Sequence, residues 1–192
     1  MKKILIIILL FISSAVNSQD KFVKEVLDYT VNSITVQGVY MQNLSDYHFI
    51  FPGYYGGYIS YSKLFQSGFS IDVRAGYWTA TKTDTTQDYS SDVFPIHVGG
   101  RYYFTNTSIK PYISFMNGIN IISEEIPPNT VLDTASGIRV RYAFQVGTGI
   151  KYFFTKQVYL DVNANYNNSF YYPNSMMTGW EYNAGVGITL PK

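Results

Sequence analysis

The sequence predicts an all-β chain: an eight-stranded antiparallel up-and-down transmembrane β-barrel, with short periplasmic turns and four longer extracellular loops. Three observations predict it. Charged residues are only 14% of the chain while aromatics reach 18%, with 19 Tyr and 13 Phe, against the roughly 25% charged residues of soluble domains. Mean hydropathy is nevertheless near zero (−0.03), and no apolar run after the first residues is long enough for a membrane helix. Finally, segment after segment alternates apolar and polar residues with a period of two. Inward-facing residues dilute the hydropathy of a membrane barrel in this way.

The N-terminus reads MKKILIIILLFISSAVNSQD. Lys2 and Lys3, the apolar run Ile4–Ile12 and the small residues Val16 and Ser18 have the order of a secretory signal over residues 1–18. Residues 19–31, including DKFVKEVLD, are expected to be a periplasmic lead-in, and residues 32–192 the barrel. Without Lys2 and Lys3 the chain keeps 12 basic and 13 acidic residues, too balanced a charge for a nucleic-acid partner. An exported chain with no Cys has no disulfide framework to hold it.

Eight strands follow in order: Asn32–Met41, Tyr55–Leu64, Gly68–Thr79, Val93–Phe104, Ile109–Ile121, Ile138–Phe154, Gln157–Asn167 and Gly179–Leu190. The first is placed opposite the eighth by closure of the barrel, and the second, YGGYISYSKL, has no decisive face and is placed by position. In the third, Ile71, Val73, Ala75 and Tyr77 oppose Ser70, Asp72, Arg74 and Gly76. The fourth carries an apolar row ending in Tyr102 and Phe104. The sixth alternates most fully: Val140, Tyr142, Phe144, Val146, Thr148, Ile150, Tyr152 and Phe154 oppose Arg139, Arg141, Ala143, Gln145, Gly147, Gly149 and Lys151. The seventh sets Val158, Leu160, Val162 and Ala164 against Tyr159, Asp161, Asn163 and Asn165, and the eighth sets Tyr182, Ala184, Val186 and Ile188 against Glu181, Asn183, Gly185 and Gly187. The links FQS, TNTS and TK are tight, whereas those near 42–54, 80–92, 122–137 and 168–178 are longer.

The charged face is expected to point inward. An Arg or Lys turned to lipid costs about 2–4 kcal/mol at the midplane, whereas inside, cations and carboxylates can pair. The expected lumen network is Asp72, Arg74, His97, Arg101, Arg139, Arg141, Lys151, Asp161 and Glu181, with a carboxylate satisfying His97. Small residues such as Gly76, Gly149 and Gly187 make room for bulky side chains, because eight strands enclose an interior that side chains just fill. Tyr and Phe near strand ends are expected to form girdles at the lipid interfaces.

With FQVGTGIKYFF, the closing strand YNAGVGITL and Gln19 as first mature residue in view, the chain resembles the small eight-stranded outer-membrane β-barrel proteins of Bacteroidota-type Gram-negative bacteria, and more loosely the OmpA-like barrels. The resemblance implies a place in the cell outer membrane, contact with outer-membrane lipid and insertion by the outer-membrane assembly machinery. The ending Leu190-Pro191-Lys192 departs from the aromatic last residue common in such barrels.

No catalytic set stands out, and no metal-spaced cluster or cofactor motif is present, so the expectation is a non-enzymatic barrel with a plugged, ion-paired lumen. Two aromatic loops are expected either to pack on each other and cap the barrel or to form a joint contact surface for an extracellular protein or glycan. The first holds Tyr47, Phe49, Phe51 and Tyr54, and the last Phe170, Tyr171 and Tyr172, with Trp180 at its edge. The alternatives are a secreted lipocalin-like binder, which has the same periodicity turned inside out, a small-solute pore, and a lipid-modifying barrel using Ser45, Asp46 and His48.

Overall fold

In the computed structural model, the described residues are 31–45, 48, 51–84, 87–125, 137–170 and 177–190. They form eight strands: β1 (Val31–Asn43), β2 (Gly53–Leu64), β3 (Phe69–Asp84), β4 (Gln87–Tyr103), β5 (Ile109–Glu125), β6 (Gly137–Phe153), β7 (Val158–Ser169) and β8 (Met177–Leu190). Every neighbour pairs antiparallel, and β1 closes on β8, from Asn32↔Leu190 to Asn43↔Gly179. The expected barrel is therefore the observed one, and closure leaves no sheet edge through its body. The expected signal and all of the lead-in except Val31 lie outside the described residues; Val31 opens β1.

Three links at one end are tight. In the first of them, Gly68 takes a φ of 78°, which the turn needs and a side chain resists, and Gly68 N–H donates to the Phe65 carbonyl at 3.1 Å. At the opposite end the second link departs from expectation. The residues read as a polar loop at 80–92 continue the ladder instead, from Thr79↔Asp92 to Asp84↔Gln87. Thr-rich TATKTD suits a strand, but with both faces polar it shows no hydrophobic alternation to read. The rim is uneven in consequence: β3 to β6 have 16 or 17 residues, β7, β8, β1 and β2 only 12 to 14.

The wall is apolar outside and polar inside. Val36, Ile59, Val73, Ile96, Val98, Ile113, Val146, Ile150, Val162 and Val186 are exposed on the outer surface. Two aromatic belts bound them. Near the tight turns stand the pairs Tyr102–Phe104 and Tyr152–Phe154, with ring centroids 5.6 and 5.0 Å apart. Toward the other end stand Tyr40–Tyr55, Tyr77–Phe94 and Tyr166–Trp180, at 4.9, 5.0 and 5.6 Å. Amphipathic rings in two belts around an aliphatic band match the two interfaces of a bilayer.

Inside, glycines face tyrosines. A Cβ at Gly149 would lie 2.5 Å from the Tyr112 ring, and one at Gly187 would run into the Tyr159 ring. Gly187→Val is expected to destabilise the barrel by about 1–3 kcal/mol through overpacking, measured by urea unfolding in lipid vesicles, whereas Val at the open Gly38 site costs far less.

Candidate functional site

The lumen is the candidate site, and it is layered. At the loop end Val39, Met41, Phe51, Tyr54, Tyr58, Trp78, Ala80, Val93, Ile122 and Met177 form a buried apolar cluster. Tyr58 and Trp78 meet edge to face at 5.6 Å. This layer corrects the contact-surface expectation for Phe51 and Tyr54 in favour of the capping one. Phe51 is 0% exposed and Tyr54 1%, so neither offers a contact surface. Their rings turn into the barrel because the inner face at that end is apolar. Tyr47, Phe49, Tyr171 and Tyr172 lie outside the described residues, while Phe170 and Trp180 are exposed on the outer wall, Phe170 packing on Tyr142 and Phe144.

Below the apolar layer sits Glu181, fully buried on β8. It pairs with Arg74 from β3 at 3.3 Å and accepts hydrogen bonds from Tyr58 (3.2 Å), Gln145 (2.7 Å), Asn165 (3.3 Å), Asn167 (3.3 Å) and Asn183 (2.7 Å). The Arg74 guanidinium lies over the Tyr58 ring at 4.1 Å. Alternate residues of β7 put Asn163, Asn165 and Asn167 on one inner row, so period two delivers several amides to one carboxylate. His97 also belongs to this layer. Asn120 donates to Ser169 at 2.6 Å, which turns its Oδ1 toward His97 Nε2 at 3.0 Å. His97 Nε2 is therefore the donor, and Nδ1 faces Arg74 at 3.5 Å. The partner is an amide and not the expected carboxylate, because Arg74, two residues from Asp72, reaches Glu181 across the barrel.

A second centre lies nearer the tight turns. Arg101 bridges Asp161 at 2.5 Å and Asp72 at 3.5 Å. Tyr112 donates to Asp161 at 2.6 Å, and Asp72 accepts from Ser70 at 2.6 Å and from Ser62. Buried carboxylates need this degree of satisfaction, since an ion stripped of water costs several kcal/mol otherwise. Arg139 and Arg141 stand apart near the loop end, half-buried, with Arg139 3.9 Å from Glu124.

At the tight-turn end two further cations face inward from neighbouring strands, Lys110 and Lys151, directly paired in the β5–β6 ladder. Lys110 is 3% exposed and Lys151 5%. Lys110 Nζ lies over the Phe153 ring at 5.1 Å, and Lys151 Nζ over Tyr159 at 4.2 Å and Tyr103 at 5.5 Å. Among the described residues neither ammonium has a hydrogen-bond acceptor or a carboxylate within 4.0 Å. A ring face returns about 0.5–2 kcal/mol to a cation, less than desolvating an ammonium costs.

Sequence reasoning missed Lys110, Tyr112 and the apolar layer, and it set Tyr159, Gln145, Asn165 and Asn183 on the inner face without giving them a part in the network. The signal for the amides was present in NANYN; Tyr carries none, because the same ring suits lipid interface and lumen. Ser45 and His48, entertained as part of a lipid-modifying set, both contact Asn43: Ser45 Oγ donates to its Oδ1 at 2.8 Å, and His48 Nδ1 lies 3.0 Å from its carbonyl oxygen. Asp46 lies outside the described residues. No group of three or more His, Cys, Asp or Glu that could hold a metal occurs among the described residues.

No family model matches the sequence, and no curated protein matches it either. Solved structures share the fold. Neisserial surface protein A aligns over 83% of this chain and 97% of its own, with a TM-score of 0.64 and 18% identity. The N-terminal β-barrel domain of Pseudomonas aeruginosa OprF aligns over 84% and 100%, at 0.50 and 18%. Ail, the attachment invasion locus protein of Yersinia pestis, aligns over 84% and 100%, at 0.55 and 11%.

Proposed function

We propose that the chain is an integral outer-membrane protein whose barrel is closed to solutes and acts through its rim as a structural or interaction-mediating element. One observation carries the closed lumen: the interior holds successive layers of interlocked side chains, with the apolar cluster around Trp78 above the Glu181 and Asp161 centres. Polar inside and aliphatic outside, between two aromatic belts, supports the membrane setting, with tight turns to the periplasm and longer links outside. Non-enzymatic action fits a lumen whose charges bind one another. The contact residues of this reading are the loop aromatics named from the sequence, Tyr47, Phe49, Tyr171 and Tyr172, with an extracellular protein or glycan as partner; assembly passes through the outer-membrane insertion machinery.

Planar-bilayer recording tests the closed lumen. Purified protein is expected to give no stable open-channel current, and steady single-channel steps in a uniform preparation would replace this reading with the small-solute pore.

A further inference from the structure

Two ammoniums directly opposite each other on adjacent strands repel, and Lys110 and Lys151 hold that arrangement at the periplasmic mouth with no acceptor among the described residues. A third unmet group stands beside them. The Tyr103 hydroxyl, on the last residue of β4, is buried and has no hydrogen-bond partner, and its ring lies against the Lys151 ammonium. Asp161, the cross-strand partner of Lys151, is already engaged by Arg101 and Tyr112.

We propose that Lys110, Lys151 and Tyr103 form a binding site for a small tetrahedral oxyanion of the phosphate class, entered from the periplasmic end of the lumen. The compartment rests on the reading above; the site itself rests on the two opposed, inward-facing lysines and the buried, unpartnered Tyr103 hydroxyl. An anion between the two ammoniums turns their repulsion into attraction and gives the Tyr103 hydroxyl an acceptor. Ammoniums are point charges with three donors each, suited to oxygens arrayed around a tetrahedral centre, whereas a planar carboxylate is better met by the fork of an Arg. The source is a soluble ion: both lysines point to the inner face of the wall, and lipid headgroups stand at its outer face. The rings of Phe153 and Tyr159 flank the two ammoniums.

The test is calorimetric titration of inorganic phosphate into the full chain refolded in maltoside micelles. Saturable binding at one site is expected, weakened about ten- to a hundredfold by Lys110→Met, the range that a charge-assisted hydrogen bond spans. Lys110→Arg should keep most of it. No saturable binding, or binding unchanged by Lys110→Met, overturns the site. Should Lys110→Met not fold, Tyr103→Phe removes only a hydroxyl and is expected to weaken binding several-fold. In the unaltered protein the lysine side-chain nitrogen resonances should move with phosphate, and stationary resonances also overturn the proposal. A protein that binds phosphate yet conducts ions refutes the closed lumen and keeps the site; one that is closed and does not bind loses the site alone.

Discussion

Glu181→Leu is expected to destabilise the barrel by about 3–5 kcal/mol, the cost of breaking a buried ion pair from one side. The loss comes less from the 3.3 Å contact than from what is stranded. Arg74 keeps its charge while buried, and the amide donors of Gln145 and Asn183, at 2.7 Å from the carboxylate, lose their acceptor. Adding Arg74→Met is expected to recover more than half of the loss, because the orphaned cation leaves with its partner. Recovery stays incomplete, since the amides remain unmet. Equilibrium unfolding in urea with lipid vesicles, followed by Trp78 and Trp180 fluorescence, measures both. A single variant within about 0.5 kcal/mol of the parent, the range of ordinary surface changes, would show that Glu181 does not bind the layers together.

The second large effect tests which face is wet. Val146, 50% exposed, stands at the middle of β6 between the two belts, and Val146→Arg is expected to cost about 2–4 kcal/mol. Ile138, at 76% the more exposed of the two, lies on the same row beyond Tyr142 and outside the apolar band. Ile138→Arg is expected to cost about 0–1 kcal/mol. The contrast is the result, because exposure alone predicts the opposite order or none. Equal and small penalties in the same vesicle assay would put the Val/Ile rows in water and revive the inside-out, lipocalin-like barrel.

Sequence legibility follows from what sets each feature. Strands β3, β6, β7 and β8 read clearly because a wall between lipid and a polar interior enforces strict alternation, as in Arg139–Tyr152. The same rule placed Asp72, Arg74, Arg101, Lys151, Asp161 and Glu181 on one face, and all are buried on the inner side. Who pairs with whom was not legible. Arg101 reaches Asp161, sixty residues away, through the circumference and tilt of a closed sheet, which no local pattern records. The faces of β2 were hidden because Tyr54 and Tyr58 turn in while Tyr55 and Tyr61 turn out. The continued pairing of β3 and β4 was hidden because the stretch TKTDTTQD carries no apolar residue and so no alternation to read. Whether Phe51 points outward or folds back over the mouth was not legible, since a ring near a loop carries no sign of either.

In the closed-lumen reading proposed above, the apolar layer around Trp78 makes the cylinder a blind well, stoppered at its loop end. Protons that reach Asp161 or Lys151 then arrive from below, so those groups equilibrate with the periplasmic fluid and are insulated from the acidity of the surroundings.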